Sequence, residues 1–190
     1  MISLFEAVLD ASANIGTDQQ YSNLCDQISA IRNQPTSSKS NDLCWRSEHK
    51  YTNIDWLLKE ITSKVFQAVD YYSQRDQLFS SSFKQFDKRK LQIFYWTNIN
   101  QPQSRNVLHS HKTALFSGVY YIQGTDTGAL RIINPANVLG ECNNLAPFTR
   151  DFYYAPKDRD LILWPSWLPH EVETNTSTRE RINIAYDVIL

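Results

Sequence analysis

Two histidines stand two residues apart in Asn106-Val107-Leu108-His109-Ser110-His111, just ahead of the strand-like run Leu115–Ile122. In an extended backbone residues i and i+2 point to the same side. His109 and His111 can therefore present their imidazoles to one point in space. A third histidine, His170, follows another strand-like run, Leu161-Ile162-Leu163-Trp164. Three imidazoles converging from two strands would make a site for a divalent transition metal. The ordinary alternative for a histidine is a solvated or hydrogen-bonded structural residue, and His49, in the polar stretch Ser47-Glu48-His49-Lys50, fits that description.

The last strand-like run, Arg181–Ile189, supplies the other residue with pointed chemistry. Arg181, Asn183, Ala185 and Asp187 alternate with Ile182, Ile184, Tyr186 and Val188, so the two sets fall on opposite faces of a strand. The apolar face suits a layer under helices, and the polar face then points into a barrel or to solvent. A guanidinium removed from water needs a partner. It forms bidentate bonds with carboxylates. An anionic ligand would meet that need inside a cavity; Asp160, Glu171 or Glu180 would meet it at the surface, and the residues alone leave both open.

The elements that must position these groups divide into two stretches. Residues 1–90 read as a mainly helical part and residues 91–190 as a β-rich core, together one domain of 190 residues. Residues 2–9 fit a strand or a short helix equally. A helix is expected over 18–33, with Tyr21, Leu24, Ile28 and Ile31 on one stripe, and Pro35 with the polar residues 36–42 reads as a loop. A second helix is expected over 54–72, where Ile54, Leu58, Ile61, Val65, Val69 and Tyr72 recur at helical spacing, with Thr52 and Asp55 at capping-box distance. Residues 73–90 read as loops. Strands are expected over 91–95, 114–123, 129–133, 161–164 and 181–189, separated by turn residues. The segment 134–160 is too long for a plain hairpin and reads as an inserted hairpin or a loop over a barrel mouth. Many short strands after two helices suggest a barrel or double-sheet jelly roll with helices packed on one side.

Composition narrows the function classes. Apolar residues make up 42% and charged residues 21%, enough for a packed core. The net charge is −1 with no Lys/Arg stripe, which argues against a nucleic-acid partner. The three cysteines, Cys25, Cys44 and Cys142, show no metal or disulfide spacing, so a reducing, cytoplasmic compartment is expected. No signal peptide and no membrane span are read from the sequence. Oligomeric state is left open, a homodimer included.

Seven stretches, in order over residues 45–187, resemble a bacterial and phage family of 2-oxoglutarate/Fe(II) oxygenases. They are Trp45-Arg46-Ser47, Trp96-Thr97-Asn98-Ile99-Asn100, His109-Ser110-His111, Ser117-Gly118-Val119-Tyr120-Tyr121, Asn134-Pro135, Trp164-Pro165-Ser166-Trp167-Leu168-Pro169-His170, and Arg181-Ile182-Asn183-Ile184-Ala185-Tyr186. The resemblance implies a double-stranded β-helix, the cupin-like jelly roll. It implies Fe(II) on His109, His111 and His170, with O2 and 2-oxoglutarate as co-substrates. Arg181 would bind the far carboxylate of 2-oxoglutarate, with Tyr121 and Asn183 beside it. Strand parity puts Tyr121 on the face of Ser117 and Val119; if that face points outward, Tyr120 takes the role. Asn106, Arg131 and Trp167 are candidates for contact with the substrate, a small molecule or an amino-acid or peptidyl side chain. The wider superfamily uses two histidines and a carboxylate, whereas the middle position here is His111. That leaves the iron one charge more positive. It keeps open a three-histidine dioxygenase that does not use 2-oxoglutarate, and beyond that a non-enzymatic cupin-like binding module.

Overall fold

The computed structural model describes residues 10–35, 41–75, 90–135 and 150–189. The expectation for residues 2–9 lies outside these, as do most of the 36–42 and 73–90 stretches, Cys142 and the centre of the 134–160 segment.

Two helices precede the long strands. α1 spans Asp18–Ile31. It starts at a capping box: the Thr17 hydroxyl accepts from the Gln20 N–H, and the Gln20 carboxamide accepts from the Thr17 N–H at 2.8 Å. α2 spans Asp55–Arg75. Because it begins at Asp55, Thr52 lies too far ahead to cap it. The Thr52 N–H and hydroxyl donate instead to Gln27 Oε1 on α1, at 2.8 and 3.2 Å, which ties the two helices together.

The strands are β1 (Asp10–Ser12), β2 (Asn41–Ser47), β3 (Gln92–His109), β4 (Phe116–Gln123), β5 (Leu130–Ile132), β6 (Phe152–Tyr154), β7 (Leu161–Pro165), β8 (His170–Val172) and β9 (Arg181–Ile189). They form one antiparallel sheet in the order β1-β7-β4-β9-β3-β8-β5-β6, with β2 also on β3. β1 and β2 belong to the part read as helical, so the N-terminal stretch contributes strands as well as helices. β3, expected only over 91–95, runs for 18 residues. Its first half pairs with β9, from Gln92↔Ile189 to Asn100↔Arg181, and its last residues pair with β8, including His109↔His170. A single strand thus carries the chain from the helix-covered half of the sheet to the half that bears the histidines.

The helices cover one face. Leu24, Ile28 and Ile31 of α1 and Leu57, Ile61, Val65 and Val69 of α2 pack with Tyr120, Ile184, Tyr186 and Val188 of β4 and β9. This is the apolar face expected for the last strand. Gly118 fits beneath it for a steric reason: a Cβ there would lie 2.2 Å from the Tyr186 ring and 2.4 Å from the Ile162 carbonyl oxygen. A smaller cluster, Tyr121, Leu130, Ile132, Ile162, Trp164 and Leu168, fills the interior on the other side of the sheet. Between that cluster and the polar face of β9 lies a cavity.

Candidate active site

The cavity has a volume of about 340 Å³, and His109, His111 and His170 all line it. His109 ends β3, His170 opens β8, and the two are register partners. His111 follows two residues after β3, and its N–H donates to the Ser166 carbonyl at 3.0 Å in the turn ahead of His170. Ring centroids lie 5.1 Å apart for His109 and His111, 4.3 Å for His109 and His170, and 5.2 Å for His111 and His170. One ligand nitrogen from each falls within 4.8 Å of the other two.

Hydrogen bonds decide which nitrogens face the centre. Nδ1 of His109 lies 2.7 Å from the Val107 carbonyl oxygen, and Nδ1 of His170 lies 3.0 Å from that of Leu168. A carbonyl oxygen only accepts, so each Nδ1 carries the proton and each Nε2 keeps a free lone pair. Nδ1 of His111 is 2.5 Å from Asp187 Oδ1, which fixes the same tautomer. Burial pushes the pKa of His109 and His170 down, His170 to about 3, and the neighbouring imidazoles add to the fall. These are neutral nitrogen donors, the form in which a metal binds histidine.

Arg181 sits deeper, at the start of β9, with no exposed surface. Its Nη1 donates to the Thr127 carbonyl at 2.7 Å and more loosely to that of Glu173 at 3.4 Å; its Nη2 donates to Asn106 Oδ1 at 2.9 Å. Among the described residues no carboxylate pairs with it, and its buried Nε has no hydrogen-bond partner. The surface alternatives are taken elsewhere: Glu180 pairs with Arg32, Glu171 with Arg131, and Asp160 accepts from the Tyr154 hydroxyl. The turn that supplies the Thr127 carbonyl requires Gly128. Its φ is +98°, and a Cβ there would fall 2.7 Å from the Glu173 carbonyl oxygen and 3.3 Å from Arg181 Nη1.

Tyr121 and Asn183 are register partners on β4 and β9, and both line the cavity. Tyr121 is buried, and burial raises its phenol pKa while the Arg181 charge acts the other way. Tyr120 points to the opposite face, where its hydroxyl donates to the Ile15 carbonyl and its ring meets Trp56 edge-on. Asn183 Oδ1 accepts from Asn98 at 3.2 Å. Trp164 lines the same cavity, packs edge-on against His170 at 4.9 Å, and has a buried indole N–H without a partner among the described residues. The Arg181 guanidinium, the Tyr121 phenol and the Asn183 carboxamide on the cavity wall suit a small dianion, and three imidazoles with free Nε2 lone pairs suit a divalent metal. The residues present therefore fit both a divalent metal and 2-oxoglutarate.

The other candidates are placed differently. Asn106 lines the cavity, but its side chain is engaged with Arg181 and Asn100. Arg131 is not among the described lining; it sits between Asp151 and Glu171 on the outer side of β5. Trp167 is 53% exposed in the turn between β7 and β8, also outside that lining. Two residues gain importance that the sequence did not give them. Asp187 meets His111, and Arg46 of β2 lies 4.5 Å over the Trp96 ring, which itself stacks on His111.

Residues 94–187 match the family model described as "Putative 2OG-Fe(II) oxygenase". No curated protein matches the chain in sequence. Among solved structures, a Pseudomonas putida prolyl-4-hydroxylase aligns with TM-score 0.62 at 13% identity, covering 95% of this chain and 91% of its own. A Trichoplax adhaerens prolyl hydroxylase, in complex with a hypoxia inducible factor peptide fragment, aligns with TM-score 0.60 at 12% identity over 95% and 83%. HygX from Streptomyces hygroscopicus, with nickel and 2-oxoglutarate bound, aligns with TM-score 0.58 at 10% identity over 96% and 82%. At these identities the likeness is one of fold, and it identifies the curled sheet as the jelly roll of such oxygenases. With the family match laid over β3 to β9 and the histidine cluster within it, residues 94–187 carry the domain of the 2-oxoglutarate/Fe(II) oxygenase family, whose cofactor and co-substrate are Fe(II) and 2-oxoglutarate.

Proposed function

We propose that this chain is a hydroxylase that inserts oxygen into an unactivated C–H bond of a small molecule or an amino-acid side chain. The observation that carries this reading is the placement, in one cavity, of three inward-facing imidazoles and a buried guanidinium that no described carboxylate neutralises. The reaction balances as R–H + O2 + 2-oxoglutarate giving R–OH + succinate + CO2. Fe(II), held by His109, His111 and His170 on one side, would supply the activation of O2. The chain's own residues bind, orient and exclude water. Arg181 forms an ion pair with the far carboxylate of 2-oxoglutarate, and the Tyr121 hydroxyl and Asn183 carboxamide add hydrogen bonds to it. Asn106 holds the guanidinium in place rather than touching substrate. Trp164 closes the wall beside His170 and keeps water from that side.

The test is anaerobic. Fe(II) and then 2-oxoglutarate are added, and the visible spectrum is recorded. A weak metal-to-ligand charge-transfer band that needs both additions supports the proposal. One equivalent of bound iron without such a band turns the reading toward a three-histidine dioxygenase that does not use 2-oxoglutarate. No bound iron removes the metal site altogether.

A further inference from the structure

Three neutral imidazoles leave a divalent ion with its full charge, whereas a carboxylate in the set would cancel part of it. The fold brings a carboxylate to one hydrogen bond from the set. Asp187 lies on the cavity face of β9, opposite Ser117 in the β4–β9 register. Its Oδ1 accepts from His111 Nδ1 at 2.5 Å and from the Ser117 hydroxyl at 2.6 Å. Among the described residues, the matching Nδ1–H groups of His109 and His170 meet backbone carbonyls. The three ligands are therefore unequal: one is held by an anion and two by neutral dipoles. A carboxylate on the far nitrogen raises the basicity of the ligating one.

We propose that Asp187 is a positioning residue that acts through His111, fixing that ring and passing to the metal part of the negative charge absent from the three-histidine set. The inference rests on the reading of His109, His111 and His170 as the metal ligands. Its structural support comes from independent directions. β9 alternation puts Asp187 on the face of Arg181 and Asn183, the sheet register puts it beside Ser117, and the His111 N–H to Ser166 bond holds the backbone so that the ring reaches Asp187. Ser117, 1% exposed, occupies the same carboxylate oxygen and limits the charge that reaches His111.

The experiment uses Co(II) as the metal probe and azide as the anion probe, with wild-type chain, Asp187→Asn and Ser117→Ala. Asp187→Asn keeps an acceptor oxygen for His111 Nδ1 and removes the charge. The Co(II) dissociation constant should rise about 10- to 100-fold. Azide should bind the Co(II)-loaded variant a few-fold more tightly, because the ion is more positive. The two shifts have opposite signs, whereas a disordered site would weaken both. Ser117→Ala frees the carboxylate from a competing donor and should move both constants the other way; it decides the matter if Asp187→Asn does not fold. Unchanged constants, or loss of both affinities together, overturn the role of Asp187 while the histidine site stands. A wild-type chain that binds no Co(II) overturns the metal set and this inference together.

Discussion

Replacing Arg181 by leucine separates its two roles, one as a fastener between β9 and the 124–128 turn and one as the seat of an anion. As a fastener it makes two close hydrogen bonds, to the Thr127 carbonyl and to Asn106 Oδ1. Leaving the buried Thr127 carbonyl unpaired costs about 1–3 kcal/mol, whereas Asn106 Oδ1 keeps its bond from Asn100. Removing a buried, unneutralised charge offsets much of that, so the ligand-free variant should melt within a few degrees of wild type. As an anion seat, its loss should weaken 2-oxoglutarate binding by about 2–5 kcal/mol, the usual cost of deleting one partner of a buried charge pair. The assay is anaerobic melting of the Mn(II)-loaded chain with and without 2-oxoglutarate at about 100 times the wild-type Kd. Wild type should gain about 2.7 kcal/mol. For a chain of 190 residues this is roughly 5–11 °C in Tm. In Arg181→Leu a Kd weakened about 1000-fold leaves a gain under about 0.1 kcal/mol and no measurable shift. A variant that keeps the ligand-induced shift refutes the assignment, and a large loss in the ligand-free melt with the shift retained shows Arg181 to be a fastener only.

Three further outcomes are expected. Tyr121→Phe should weaken 2-oxoglutarate binding by about 1.5–3 kcal/mol, the range for a hydrogen bond to a charged group, whereas Tyr120→Phe should leave binding unchanged and lower the Tm through loss of its bond to Ile15; calorimetric titration beside thermal melts reads both. In the metal-free chain, His170 has a folded pKa of about 3 against 6.5 for the ordinary group, so the unfolded state takes up the proton first and stability falls as the pH drops. The loss from pH 7 to pH 5 should be about 2 kcal/mol, read by urea unfolding in chelator against His170→Gln, and equal slopes in the two chains would contradict it. Gly118→Ala should lower stability by about 1–3 kcal/mol or more through overpacking on Tyr186 and Ile162, with a matching fall in Tm; an unchanged melt would show that the Tyr186 ring can move aside.

What the sequence revealed of the fold follows from where periodicity is strong. The α1 and α2 stripes and the alternation of β9 are signals over nine or more residues, and these elements stand where the pattern puts them. Leu57, which the stripe omitted, is fully buried because α2 meets the sheet over a broader arc than one row of residues. Short strands were harder. β6 and β8, three residues each, carry no period that can be counted. The length of β3 was hidden because its second half, Gln101 to Asn106, is polar and takes its place from pairing with β2 and β8 rather than from its own composition.

At the site, parity worked wherever one strand carried the whole argument. It put Tyr121 and Tyr120 on opposite faces and Arg181 and Asn183 on one, and the backbone keeps both arrangements. Arg131, a candidate on its residue type alone, meets Asp151 and Glu171 on the outside of β5, the face opposite the buried Leu130 and Ile132. Alternation puts Asp187 on the face of Arg181 and Asn183, but no spacing links it to His111, 76 residues away in the chain. Only the β4–β9 register, which seats Ser117 beside Asp187, and the turn that carries His111 back over that pair bring them together. A ligand set can therefore look neutral along the chain while the sheet places a carboxylate directly behind one ligand. The charge that matters for a metal is set by pairing across strands, and a motif read along one strand does not contain it.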